Sequence, residues 1–408
     1  MTPLIPVTRT PGEKITVPDP VQINVQYIIE AVPPRDWVAI MQVLFKIVRQ
    51  SQNTGPRIQT YQLDVEPGNT ILDCLNRIKW EQDGTLAFRK NCRNTICGSC
   101  SMRINGRSAL ACKENIGAEL ARLNQISEQS TETESATRDR EQTENAALNA
   151  LPGAPPRATA PGAIPEITIA PMGNMPVVKD LVVDMQRFWN NLEAVDPYVS
   201  NSARKIPERE FLQTPEERSR LEESGNCILC GACYSECNAV EVNPNFVGPH
   251  ALAKAYRMVE DDRDDQTESR LQNYNQANSG VWSCTRCFYC NSVCPMGVEP
   301  LDKIGKIKDE ILERNDDQAS RSIRHRKVLI DLVKKGGWID ERKFAVMVVG
   351  NFFRDIKGLL SLGPVGFQSI KRGKMPLTFE PSEGTKEVRS LIESVQELES
   401  KSSKAPKE

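Results

Sequence analysis

Twelve of the thirteen cysteines in this 408-residue chain fall into three tight groups, and only Cys74 stands alone. The first group is Cys92, Cys97, Cys100 and Cys112, spaced x4, x2 and x11 in CRNTICGSCSMRINGRSALAC. The second and third are complete C-x2-C-x2-C-x3-C runs. Cys227, Cys230, Cys233 and Cys237 lie in CILCGACYSEC, and Cys284, Cys287, Cys290 and Cys294 lie in CTRCFYCNSVCP. The N-terminus, MTPLIPVTRTPGEK, has neither a charged start nor an apolar core of the secretory kind. The cysteines are therefore read in a reducing compartment, where ligation of metal is commoner than disulfide formation.

The x4–x2 interval is the plant-type [2Fe–2S] pattern. A flat two-iron core needs two thiolate pairs approaching from opposite sides, which a loop with three ligands and a following strand with the fourth can supply. Gly98 and Ser99 keep the loop small, so that backbone N–H groups can turn toward sulfur and favour the reduced, more negative cluster. A four-cysteine zinc site is the competing reading, but structural zinc favours two separate knuckles of paired cysteines. In two-cluster ferredoxins with the x2–x2–x3 run, the fourth cysteine of each run ligates the other cluster. By that rule Cys227, Cys230, Cys233 and Cys294 hold one [4Fe–4S] cluster, and Cys237, Cys284, Cys287 and Cys290 hold a second. Crossed ligands staple two helical segments together and make the clusters part of the core.

The remaining pattern reads as an α+β chain. Residues 1–40 form a Pro-rich, charged extension. From Met41, MQVLFKIVRQ and RIQTYQLDV alternate as two strands joined by the polar turn SQNTGP. NTILDCLNRIKWEQ has helical spacing, with Asn69 or Thr70 as cap and Cys74 on its apolar face as a buried structural thiol. Two strands, a helix and a cysteine loop predict a β-grasp [2Fe–2S] ferredoxin domain over 41–116. Residues 117–165 are polar and then Pro/Ala/Gly-rich, a composition that predicts a disordered or loosely helical insertion. Residues 166–340 predict an all-α domain holding two cubane clusters (an α-helical ferredoxin), with helices over PHALAKAYRMVEDD, LDKIGKIKDEILERN and SIRHRKVLIDLVKKGG. Residues 341–408 form a tail containing two apolar blocks flanked by Lys and Arg, too short to span a bilayer. It reads either as an amphipathic docking element or as a helix folded back on the domain.

The formal charge of −2 and pI near 6.0 give no footprint of a nucleic-acid binder. There is no dinucleotide or Walker A motif. His250 and His325, the only histidines, read as structural or solvated, and the run Glu260–Asp265 as an exposed face. Nothing marks a substrate site, so no catalytic residue is assigned.

The cluster loop, followed by PVVKDLVVDM, CILCGAC and a final CP, resembles the iron–sulfur subunit of succinate dehydrogenase and fumarate reductase over roughly residues 41–340. The resemblance implies a FAD-containing flavoprotein partner, a membrane anchor subunit, and quinone at or near the third cluster. Electrons would pass from flavin through [2Fe–2S] and two cubane clusters. It also implies a cytoplasmic location, peripherally attached to the membrane through those partners, and translation starting near Met41. In common members the position matching Cys287 is not cysteine and the third cluster is [3Fe–4S]. Cys287 here implies [4Fe–4S], the alternative being a three-iron cluster with Cys287 unligated. Asn238, Glu241, Val242 and Thr285 stand where common members carry Pro, quinone-side tryptophan and His. These departures look like the non-classical branch found in archaea and cyanobacteria, whose anchor is thought to be cysteine-rich. A thiol:fumarate or heterodisulfide-type reductase subunit is the alternative function, although the chain has no adjacent cysteines. A purely structural role for the clusters is the third reading.

Overall fold

The computed structural model describes residues 40–134, 164–201, 210–314, 321–374 and 378–402. The readings made for residues 1–39, and for 135–163 of the insertion, lie outside the described residues.

The hairpin forms where alternation places it. β1 (Met41–Ser51) pairs antiparallel with β2 (Thr54–Val65), in register from Met41↔Val65. One face carries Val43, Phe45 and Ile47 with Tyr61, Leu63 and Val65, all buried. Helix α1 (Ile71–Arg77) covers that face and runs on into a wider turn, Ile78–Gln82. Its start is fixed by a capping box: Thr70 Oγ1 accepts from the Asp73 N–H at 3.1 Å, and the Asp73 carboxylate accepts from the Thr70 N–H at 3.2 Å. Such a cap is worth about 1 kcal/mol. Cys74 on this helix is fully buried, and burial pushes its thiol up to about 12.

After the cysteine loop come β3 (Ser101–Ile104), β4 (Arg107–Leu110) and α2 (Ile116–Glu134), then β5 (Glu166–Ala170), β6 (Val177–Lys179) and β7 (Val182–Val183). The sheet order is β4–β3–β5–β1–β6–β7, with β2 also paired to β1. One sequence boundary is thereby corrected. Residues 166–183 do not open the helical domain but complete the sheet: β5 runs parallel to β1 and antiparallel to β3. Its Ile167 and Ile169 are fully buried in the sheet's core, and it covers an edge of β1 that would otherwise stay unpaired. The insertion begins helical, as α2, one of the two forms its composition allows. Glu119 anchors that helix from a fully buried position, bonded to Asn105, Arg107 and Arg122. Burial works to raise its pKa, but the Arg122 and Arg107 charges win and hold it below the usual carboxylate range.

The second domain is helical: α3 (Gln186–Glu193), α4 (Pro215–Gly225), α5 (Ala232–Ser235), α6 (Asn238–Val242), α7 (Pro249–Val259), α8 (Thr267–Tyr274), α9 (Tyr289–Ser292) and α10 (Pro300–Glu313). Apolar stripes of α7 (Leu252, Ala255) and α10 (Ile304, Ile307) meet in one core with Phe188 and Tyr234. The acidic run is not simply an exposed face. Asp261 and Asp264 are buried, and Asp264 pairs with buried Arg270 at 2.9 Å. Arg270 also donates to the carbonyls of Asp196 and Tyr198, so its cationic fork organises the preceding loop from inside.

Helix α11 (Arg321–Gly336) ends at Gly337, whose φ of +77° suits a left-handed cap. α12 (Glu341–Val348) folds back, and its Val348 packs on Val328 and Leu332 of α11. α13 (Ile356–Ser361) and α14 (Gly363–Lys371) leave most of their large apolar side chains in solvent. A last helix, α15 (Thr385–Ser402), returns to α11 through Lys334–Glu393 at 3.2 Å.

Candidate cluster sites

The loop before β3 is shaped by three left-handed residues, Arg93, Thr95 and Gly98. This winding aims backbone donors inward, and the N–H groups of Asn94 and Cys97 both point at Cys92 Sγ, each at 3.4 Å. Hydrogen bonds from the Asn94 and Ile96 backbone are the main reason the Cys92 thiol is lowered to about 6. The β3–β4 hairpin then brings the chain back, and the Ala111 N–H donates to the Cys100 carbonyl at 3.1 Å. Cys112 is thereby set beside Cys100. Cys97 lies beside Cys92, whose Sγ faces the Cys97 N–H, and Cys112 lies beside Cys100. The loop thus presents two thiol pairs. Cys100 is buried, and burial pushes its thiol up to about 12.

The two longer runs share one backbone form. The second residue after the first cysteine is left-handed (Leu229 and Arg286), and so is the fourth (Gly231 and Phe288). Short helices α5 and α9 start immediately afterwards. Arg286 and Phe288 tolerate a conformation that bulky residues seldom adopt. Cys294 does not stay with its own run: it lines one cavity with Cys227, Cys230 and Cys233. Cys237 lies instead in the field of Cys284 and Cys287, and Cys290 in that of Cys284, Cys237 and Cys287. Burial pushes Cys230 and Cys237 up to about 11 and Cys290 up to about 12, and it holds Cys233 well above the ordinary thiol value. Thiolates in such places need a compensating cation, which an iron core supplies. Among the described residues no three Cys, His or carboxylate groups converge on a single-ion site.

The three groups abut in sequence. Gly98 of the first loop packs directly on Cys230, and the Ser101 hydroxyl steadies that loop by donating to the Gly98 carbonyl at 2.9 Å. Cys233 of the second group feels Cys290 of the third. Polar contacts clamp the domains together at the same place: Arg103–Glu236 at 3.0 Å, Ser108 Oγ to Ser235 Oγ at 2.7 Å, and Lys113 Nζ to the Pro295 carbonyl at 3.0 Å.

Around the third group, Cys287, Thr285, Asn238, Glu241 and Val242 are all exposed. Beside Cys284 opens a cavity of about 860 Å³ whose walls include Trp282, Arg286, Lys308, His325 and Phe344. His325 stands edge-on to Phe344, and its position on this wall was not evident from the basic run it occupies. His250 is fully buried, stacked on Phe188 at 3.8 Å, and its Nε2–H donates to the Phe188 carbonyl at 2.9 Å. Sequence reading also missed Lys308 and Trp282. Lys308 is 6% exposed, lies over the Trp282 ring and is close enough to Cys284 to feel its charge. A lysine interrupting the apolar stripe Ile304–Ile307–Ile311 was the available signal.

Comparison with known proteins agrees with this layout. A model of a 2Fe–2S iron–sulfur cluster binding domain matches residues 44–190, and one of a 4Fe–4S dicluster domain matches residues 223–298. The chain is 32% identical over 275 residues to the mitochondrial succinate dehydrogenase [ubiquinone] iron–sulfur subunit 3 of Arabidopsis thaliana, spanning 66% of this chain and 74% of that one. It is 32% identical over 258 residues to the fumarate reductase iron–sulfur subunit of Escherichia coli O157:H7, spanning 63% of this chain and 87% of the relative. A chain of the Mycobacterium smegmatis Sdh1 complex in the apo form shares the fold, with a TM-score of 0.52 at 22% identity, covering 69% of this chain and 99% of that one. The chain belongs to the family of succinate dehydrogenase and fumarate reductase iron–sulfur subunits.

Proposed function

We propose that this chain carries electrons between a FAD-bearing flavoprotein and quinone at a membrane anchor, as the iron–sulfur subunit of a succinate:quinone oxidoreductase. The observation that carries the reading is the serial adjacency of three four-cysteine groups, through Gly98 packed on Cys230 and then the short helix α5 of the second run packed on α9 of the third. Cys92, Cys97, Cys100 and Cys112 hold [2Fe–2S]. Cys227, Cys230, Cys233 and Cys294 hold [4Fe–4S], and Cys237, Cys284, Cys287 and Cys290 hold the third cluster, with four irons. Clusters bound at these cysteines would supply one-electron uptake and release. The residues around the clusters set how readily this happens: the Asn94 and Cys97 N–H groups stabilise charge at Cys92, and Lys254 and Lys308 place cations near Cys227 and Cys284. The cavity beside Cys284 is the place for quinone, with an aromatic wall at Trp282 and Phe344 and cationic donors around it. No described helix is long and apolar enough to cross a membrane.

The test is succinate reduction of the cluster-loaded chain bound to its flavoprotein, followed by electron paramagnetic resonance. The reading expects a reduced [2Fe–2S] signal within turnover time. A [2Fe–2S] centre that dithionite reduces but succinate plus flavoprotein leaves oxidised would sink it.

A further inference from the structure

The segment 350–374, which the electron path does not use, carries the densest run of exposed apolar side chains among the described residues. Phe352, Phe353, Ile356, Leu360, Val365, Phe367 and Ile370 are each between 54% and 72% exposed. Asn351, Phe352 and Phe353 all have positive φ, a left-handed turn ahead of α13 from which both aromatic rings stand out in solvent. Water is a poor final environment for such a surface. Within the same 25 residues stand Arg354, Lys357, Lys371, Arg372 and Lys374, all exposed, against one acid, Asp355. The segment therefore has net charge +4 in a chain of net charge −2.

Charge decides among occupants. A second apolar stripe, Leu391, Val395 and Leu398 on α15, is also exposed, but Glu393 and Glu397 flank it. Among the described residues the α13–α14 face combines a run of exposed apolar side chains with a basic rim, the combination that an anionic lipid surface attracts and a zwitterionic one attracts far less. We infer that residues 350–374 form an interfacial anchor that lies on an anionic lipid surface, with Phe353 and Phe367 among its inserted side chains and Lys371, Arg372 and Lys374 among the headgroups.

The position gives this anchor a consequence. Arg321, on the wall of the cavity beside Cys284, approaches Asp355 at 3.9 Å, and Val348 and Val349 of that wall lead directly into the segment. Laying the segment on lipid brings the mouth of the cavity to the membrane surface without a spanning helix. The inference stands on the tail alone and holds or falls separately from the electron-transfer role.

The full cluster-loaded chain is sedimented with vesicles of phosphatidylcholine containing one part in three phosphatidylglycerol, and with pure phosphatidylcholine vesicles. Binding to the mixed vesicles, at least about tenfold tighter than to phosphatidylcholine and weakened by high salt, is the expected result. The double variant F353E/F367E should lose at least about tenfold of that binding while keeping its visible absorbance and paramagnetic signals. L398E on the acid-flanked stripe should bind as the parent does. Because folding could fail in the double variant, K371Q/R372Q supplies a second reading and should flatten the salt dependence. Equal binding to both vesicle types, absence of binding, or binding unchanged in both tail variants would overturn the inference. Self-association in the absence of vesicles that F353E/F367E abolishes would also overturn it, in favour of a second copy as occupant.

Discussion

A Cβ built on Gly98 would lie 2.8 Å from Cys230 Cα and 2.9 Å from Cys230 Cβ, so the [2Fe–2S] loop and the first cubane loop touch at backbone distance. Glycine is required twice over, for this approach and for its φ of +67°. Gly98→Ala should therefore destabilise the chain by about 1–3 kcal/mol and push the two loops apart. Thermal unfolding measures the first effect. Slower re-oxidation of the [2Fe–2S] centre, followed by freeze-quench resonance, measures the second. A variant with parental melting and transfer rates would show that the contact is dispensable.

Cys287 is exposed at the outer side of the third group. Cys287→Ser should convert that cluster to a three-iron form, giving a stoichiometric paramagnetic signal in the fully oxidised protein. Iron content should fall from ~10 to ~9 atoms per chain. If the parent already shows that signal after anaerobic reconstitution, Cys287 is not a ligand.

Lys308 places a buried cation near Cys284, and a cation favours the more negative, reduced cluster. Replacing it with glutamine should lower the midpoint potential of the third cluster by up to about 59 mV, a tenfold factor in a one-electron equilibrium. The first two clusters should stay where they are. Redox titration resolves the three; a uniform shift, or none, would remove Lys308 from this role.

Asp264 and Arg270 form a pair shielded on all sides, with side-chain exposures of 0% and 5%. Asp264→Ala leaves the Arg270 charge buried without its carboxylate and should cost about 3–5 kcal/mol. Asp262→Ala nearby breaks an exposed pair with Arg220 and should cost about 0–1 kcal/mol. Denaturant titration of the two variants side by side checks the contrast.

Most of the chemistry was legible because it depends on local spacing. A cysteine loop and two x2–x2–x3 runs need only consecutive residues to declare themselves, and Thr70 with Asp73 announces a helix start in the same way. What sequence reading misplaced depends on distant partners. The strand at Glu166–Ala170 was assigned to the helical domain because its pairing with β1 crosses more than a hundred residues. The run at 260–265 read as solvated because the fork of Arg270 and the carbonyls it gathers are not visible in composition.

The sequence alone determined which cysteines form groups, the order of a sheet domain before a helical one, and a tail with apolar blocks and basic flanks. Tertiary structure decided where the groups sit relative to one another: Gly98 against Cys230, Cys294 brought to the other run's cavity, and Lys308 turned toward Cys284. It also divided the tail, folding α12 onto α11 and leaving α13 and α14 in solvent. The physical reason is range. Ligand spacing and helix caps are set by bonds a few residues apart, whereas a close approach, a buried charge and an uncovered face exist only once remote segments have packed.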